Sequence, residues 1–98
     1  MKDKEAKALG KMFKALAHPN RLQLFVEILE QSEAAFEDGH DCFASTIMEK
    51  LNVGAPTISH HLKELVNADL ISTERKGKFL TCQVNPDAMK RLGAFFAR

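Results

Sequence analysis

The segment 56–66 holds the side chains best suited to chemistry with another molecule. Ile58, Leu62 and Leu65 recur in it at helical spacing, so a helix here would gather its polar residues on the opposite face. Hydroxyl, imidazole and ammonium groups can hydrogen-bond phosphate oxygens and base edges in a DNA major groove, and the free N–H groups of a helix N-terminus favour phosphate. His61 follows Ile58 by three residues, so packing at the edge of the core is the alternative for its side chain. The predicted DNA contacts are Thr57, Ser59, His60, His61 and Lys63.

A second set of cations lies at residues 75–78, where Arg75, Lys76 and Lys78 surround Gly77. Glycine permits the tight bend of a hairpin. A basic hairpin tip beside the predicted helix could reach the DNA backbone or a minor groove. Taken alone, such a tip also keeps an exposed strand edge from pairing. The neighbouring helix favours the first interpretation, and we predict DNA contacts at these three cations.

The charge of the chain is unevenly distributed. The 98 residues have a formal net charge of only +1, yet residues 1–14 and 51–98 each carry +3 and residues 15–50 carry −5. A basic second half is typical of a protein that binds a polyanion, although ordinary solvated charge gives the same count. The length fits one compact domain, residues 1–98, and 45% hydrophobic residues is a normal globular value.

Hydrophobic periodicity predicts two helices before these groups. The first covers residues 4–16, and its apolar stripe comprises Leu9, Met12, Phe13 and Leu16. The second runs from Pro19 to about Gln31, and its apolar stripe comprises Leu22, Phe25, Val26 and Leu29. Residues 32–41 have no clean period and contain Gly39 and aspartates, which predicts a loop.

The rest of the chain predicts a helix-turn-helix followed by a hairpin. A short helix from Ala44 ends near Asn52, and a link with Gly54, able to supply a positive φ, leads to the helix that Pro56 opens. Alternation with period two predicts strands at 70–74 and 79–84 around a turn at 75–78. Asn85 and Pro86 favour the start of a last helix over 86–97. The predicted fold class is mainly α with a β-hairpin wing, a winged helix-turn-helix in the order of four helices, two strands and one helix.

These segments resemble the ArsR/SmtB family of winged-helix repressors. The residues that carry the resemblance are Ala15–Leu22, Thr57–Leu65, Asp69–Ile71 and Gly77. The resemblance implies a homodimer that binds a double-stranded DNA operator, represses its own operon and releases the operator when it senses an inducer. It also implies that the first and last helices build the dimer interface. Apolar side chains beyond what one small domain readily hides support this interface: Leu9, Met12, Phe13, Met89, Leu92, Phe95 and Phe96.

The sequence leaves the inducer unknown. The metal-binding Cys-Val-Cys pair common in the family would fall at Phe43 and Ser45, and the last helix offers Asp87 but no histidine, so neither common metal site is expected. We predict no metal and no cofactor; the weak metal candidates are His40, Asp41 and Cys42. An alternative is a redox-sensing repressor in which Cys42 and Cys82 form a disulfide between the helix-turn-helix and the wing.

Several other classes of protein are not expected. There is no phosphate-cradling glycine loop, nucleophile elbow or spaced carboxylate pair, so we predict that the chain is not an enzyme. Apolar runs are too short for a membrane span, the N-terminus has no apolar signal region, and two cysteines suit a reducing, cytoplasmic setting. The remaining alternative is a winged-helix protein-interaction module without DNA binding, using the acidic segment 33–41 to contact a basic partner.

Overall fold

The computed structural model describes the backbone of residues 1–38 and 41–98 and the side chains of residues 1–33 and 41–98. The elements, in chain order, are α1 (Asp3–Leu16), α2 (Pro19–Asp38), α3 (Ala44–Leu51), α4 (Ala55–Asn67), β1 (Ile71–Lys76), β2 (Phe79–Val84) and α5 (Pro86–Phe96). This order confirms the predicted winged helix-turn-helix. None of the helices in this described part of the chain is long and apolar enough to cross a membrane.

The two terminal helices have their predicted positions. In α1 the buried residues are Leu9, Met12 and Ala15, while Phe13 and Leu16 of the predicted stripe are half-buried. Before α5, the side chain of Asn85 accepts a hydrogen bond from the backbone N–H of Asp87 at 3.1 Å, and Pro86 needs no partner at the first helical position. The Asn85 side chain also donates to the carbonyl of Asp69 at 2.8 Å, which ties α5 to the end of α4.

Helix α2 differs from its prediction in length and in orientation. It continues to Asp38, so the predicted loop at 32–41 is wrong over residues 32–38, because no glycine or proline interrupts the helix before Gly39. Its core-facing residues are Leu24, Phe25 and Ile28. The predicted inner residues Leu22 and Val26 are instead 45% and 43% exposed. The helix is apolar on more than one face, so periodicity alone did not select the buried one.

The helix-turn-helix packs around Ile47 of α3 and Ile58, Leu62 and Leu65 of α4, which all belong to one buried cluster. The turn after α3 uses a left-handed residue, but this is Asn52 with φ 54°, whereas Gly54 has φ −71°. The positive φ in this turn is therefore supplied by Asn52 and not, as predicted, by Gly54. Asparagine tolerates this conformation at a helix C-terminus, where the N–H of Val53 donates to the carbonyl of Met48 at 3.1 Å.

A buried charge joins α2 to α3. Glu27 is buried on α2, where its carboxylate accepts hydrogen bonds from Lys50 at 2.9 Å and from Gln31 at 3.1 Å. The hydrogen bonds from Lys50 and Gln31 hold the pKa of Glu27 below its ordinary value, against the opposing effect of burial. The carboxylate therefore stays ionised and holds the C-terminal end of α3 against α2.

The wing is an antiparallel hairpin whose register pairs Ile71 with Val84 and Lys76 with Phe79. Its turn consists of Gly77 and Lys78, with Gly77 at φ +62°, so Arg75 and Lys76 lie in β1 and not in the turn as predicted. The segment before α3 pairs with β2 through a bridge between Phe43 and Thr81. The wing is consequently hydrogen-bonded to the start of the helix-turn-helix.

Candidate nucleic-acid interface

Helix α4 presents a polar outer face. Ile58, Leu62 and Leu65 are buried beneath it, and the side chains of Thr57, Ser59, His60 and Lys63 are exposed. The residue before the helix, Gly54, has no side chain to cap it, and the first intrahelical bond runs from the N–H of Ile58 to the carbonyl of Gly54 at 3.1 Å. The N–H groups of the first turn therefore have no hydrogen-bond partner within the helix. Such free groups at a helix N-terminus favour an anion.

His61 does not belong to this outer face. Only 8% of it is exposed, and its Nδ1 accepts a hydrogen bond from Nε of Arg21 on α2 at 3.4 Å. Arg21 also donates to the carbonyl of Ala15 at 3.3 Å. Burial, followed by the charge of Arg21 and by His18 and His60, lowers the pKa of His61 below its ordinary value. The predicted DNA contact at His61 is wrong: the neutral ring positions α4 against α1 and α2.

The wing carries the predicted cations in two different environments. Nζ of Lys76 lies 3.1 Å from each carboxylate oxygen of Asp41, just before α3. Arg75 and Lys78 are exposed, and Nζ of Lys78 lies 5.7 Å from the ring centre of Phe79. Phe79 is itself exposed and packs on the ring of Phe43 at 5.5 Å. The charge of Lys76 is thus balanced within the chain, whereas the other two cations face solvent.

The sequence predicts Asp41 only as a weak metal ligand and gives Phe79 no role at the site. Asp41 stands in the acidic segment, and only the folded chain shows that it lies beside Lys76, 35 residues away. Phe79 directly follows Lys78, and this position beside a basic hairpin tip is the sequence feature that could have marked it as part of the site.

The two cysteines are neighbours in space. The backbone N–H of Cys82 donates to the carbonyl of Cys42 at 2.8 Å, so the two residues stand opposite each other on adjacent segments. Both thiols are free and buried. Burial raises the pKa of Cys42 and, together with the proximity of Cys42, raises the pKa of Cys82 to about 12. Burial and raised pKa values oppose thiolate formation at neutral pH, which the predicted redox chemistry would need.

Two of the three metal candidates lie among the described residues, and they stand in different environments. His40 lies outside the described residues, Asp41 pairs with Lys76, and Cys42 is buried beside Cys82. Across residues 1–33 and 41–98, no three His, Cys, Asp or Glu side chains come together in a group able to hold a metal ion.

The predicted dimer residues divide into two groups. Leu9, Met12 and Leu92 are buried in the core of a single chain, so the prediction that they face a partner is wrong. Phe13 and Phe95 are half-buried, and Phe96 is 72% exposed. The three aromatic rings contact one another edge to face, with centroids 5.2–5.7 Å apart. These three rings therefore form an apolar patch where α1 meets α5, and half-buried Met89 lies two turns before Phe96 on α5.

The helical core, the outward polar α4 and the hairpin beside it define a winged helix-turn-helix regulator. A family model described as "Bacterial regulatory protein, arsR family" matches residues 18–73. The chain belongs to this family of transcriptional regulators, which confirms the resemblance found in the sequence.

Relatives and solved structures agree with this assignment. The chain is 33% identical to the transcriptional repressor SdpR of Bacillus subtilis (strain 168) over 82 residues, or 84% of this chain and 81% of that protein. It is 30% identical to the arsenical resistance operon repressor of Staphylococcus xylosus over 79 residues, covering 81% and 67%. The fold matches the transcriptional repressor BigR from Xylella fastidiosa with a TM-score of 0.69 at 22% identity, covering 97% and 89%. It also matches the homodimeric winged helix-turn-helix DNA-binding domain of Mb0332 from Mycobacterium bovis with a TM-score of 0.71 at 20% identity, covering 99% and 84%.

Proposed function

We propose that the chain is a dimeric, sequence-specific DNA-binding repressor that an inducer releases from its operator. The observation that carries this proposal is the two-sided character of α4. Its buried face is fixed by Ile58, Leu62 and Leu65, while its outer face consists of hydroxyl, imidazole and ammonium groups. A helix of 13 residues is about 20 Å long, which suits docking along a major groove.

The residues of α4 divide the work of binding. Thr57, at the first turn, is placed for a phosphate, where its hydroxyl and the free N–H groups act together. Ser59 and His60 lie further along the outer face and are the proposed base contacts. Lys63 follows one turn after His60 and supplies charge to the backbone. Because His61 holds the helix through Arg21, the outer face has a fixed orientation.

The wing supplies the second contact in this proposal. Arg75 and Lys78 are exposed on the hairpin that is hydrogen-bonded to the start of α3. A cation at such a tip neutralises phosphate and releases counterions without reading sequence. The wing thus contributes affinity, and α4 contributes sequence preference.

The proposed dimer interface is the apolar patch of Phe13, Phe95 and Phe96, together with Met89. Exposure of 72% for a phenylalanine is unfavourable in water, and covering it with the same patch of a second copy removes that surface on both chains. The description of the Mb0332 domain as homodimeric supports this assembly. A two-fold dimer presents two copies of α4 to half-sites one DNA turn apart, about 34–36 Å.

Fluorescence anisotropy with the DNA upstream of the chain's own gene tests the proposal. We expect specific binding by the wild type, loss of preference for that DNA over scrambled DNA in Ser59→Ala/His60→Ala, and weaker binding to both in Lys63→Ala. Lys90→Ala, an exposed lysine on α5, is the matched control and should bind normally. If the double variant retained the full preference, the assignment of α4 would be wrong. Failure of the wild type to bind any fragment at low salt would favour a protein-interaction module instead.

A further inference from the structure

A cavity of about 190 Å³ lies between the first turns of α4, the start of α2 and the turn that follows α3. Its apolar wall includes Leu24 and Ile58, which are both buried. An engineered cavity of about 150 Å³ is large enough for benzene. The space beneath α4 therefore accommodates one six-membered ring with a small substituent.

The lining of the cavity is also partly polar. Four of its residues carry hydrogen-bonding side chains: Asn20, Gln23, Thr57 and His61. Because Nδ1 of His61 accepts from Arg21, the proton of the neutral ring resides on Nε2. In the described part of the chain Nε2 makes no hydrogen bond, so this N–H is available to a guest.

The cavity is uncharged. Among its lining side chains there is no carboxylate, ammonium or guanidinium group. Arg21 stands next to Asn20 on α2, but its guanidinium donates to His61 and to the carbonyl of Ala15. Burial of an ionised guest against Leu24 and Ile58 would leave its charge without a partner of opposite sign, which is costly. These walls suit an apolar body that carries one hydroxyl or carbonyl group.

We propose that this cavity binds a small uncharged amphipathic molecule of about the size and polarity of phenol, and that such a molecule is the inducer. The second half of this statement rests on the proposed repressor function. A guest would contact Val53 in the turn before α4, Thr57 in its first turn, and His61, which holds α4 through Arg21. A ligand that favours the DNA-free arrangement lowers operator affinity, and the operator lowers ligand affinity by the same factor.

Amide chemical shifts of the full-length, ¹⁵N-labelled chain, titrated with phenol in the absence of DNA, test the binding site. We expect saturable shifts centred on Gln23, Val53 and Thr57. Gln23→Leu removes one hydrogen-bonding group at similar size from an exposed position and should weaken phenol binding about fivefold. Gln83→Leu, an exposed glutamine on β2 outside the cavity, is the matched control and should leave it unchanged.

Three results would overturn the site. They are shifts that do not saturate, equal phenol affinity in Gln23→Leu and the wild type, and tighter binding of benzoate or inorganic phosphate than of phenol at the same amides. The last result would make the cavity an anion site.

Operator anisotropy at a saturating phenol concentration then tests the inducer role, with an increased operator Kd expected. Phenol in the cavity with an unchanged operator Kd would refute that role. A chain that binds phenol but no DNA would refute the proposed repressor function and leave the cavity assignment intact.

Discussion

The ion pair between Asp41 and Lys76 masks one of the cations of the wing. Nζ of Lys76 lies 3.1 Å from both carboxylate oxygens, so the pair brings no net charge to the edge proposed to face DNA. Asp41→Asn should free Lys76 to neutralise a phosphate in each subunit of the proposed dimer. Each neutralised phosphate contributes about 0.9 to the slope of log affinity against log salt concentration, so two of them steepen it by about 1.8.

The size of this effect follows from that slope. Operator affinity of Asp41→Asn should exceed that of the wild type at 50 mM salt, and the advantage should shrink about twelvefold by 200 mM. The stability of the fold should change little, because the side chains of Lys76 and Asp41 are 49% and 44% exposed and surface pairs contribute about 0–1 kcal/mol. Thermal unfolding of both proteins checks that the two effects are separate.

The matched control is Asp87→Asn, which removes another exposed aspartate, paired with Arg91 at 3.0 Å on α5. It should leave the salt slope unchanged. Adding Lys76→Ala to Asp41→Asn should abolish the steepening. Equal salt slopes in the wild type and Asp41→Asn would refute the inference that Asp41 withholds a DNA-binding cation.

Three further predictions concern the core. In urea titrations, Leu24→Ala should lower the free energy of unfolding by about 2–5 kcal/mol because Leu24 is buried, and exposed Leu22→Ala by less than about 1 kcal/mol. Equal losses in the two variants would contradict the observed buried face of α2. His61 has a lowered pKa in the folded chain, so the unfolded chain binds more protons near pH 6 and stability should fall as the pH drops below the ordinary value of 6.5. His61→Gln should flatten that dependence, measured by urea unfolding between pH 5 and 8, and an unchanged profile would assign it to another group. Cys42 and Cys82 should react with a thiol-specific disulfide reagent at pH 7 only as fast as the chain opens, because both are buried with raised pKa values. Rapid labelling of the folded chain would restore the redox alternative.

Local signals were enough for most of the element boundaries. Asn85 and Pro86 predict the start of α5, and the Asn85 side chain does cap it. The switch from helical spacing to alternation separates α4 from the wing. These features depend on residues within one or two turns of each other, so no knowledge of distant contacts was needed.

Helix α2 shows where such reasoning ends. Both the set containing Leu22 and Val26 and the set containing Leu24 and Ile28 have helical spacing. Packing against α3, α4 and β2 selected the second set. Glu27 lies between Leu24 and Ile28 in the sequence. Although it is charged, it is buried because Lys50 of α3 and Gln31 satisfy its carboxylate. Periodicity does not reveal such a partner.

The sequence by itself determined the order of the elements, the polar outer face of α4 and the basic edge of the wing, because each follows from spacing within a single element. Only the tertiary structure decided the roles of particular residues on those elements. Arg21 reaches His61 across 40 positions of the chain, and Lys76 reaches Asp41 across 35. The cavity beneath α4 likewise needs three separate segments to enclose it. Contacts at such separations depend on how the helices pack, which local spacing does not specify.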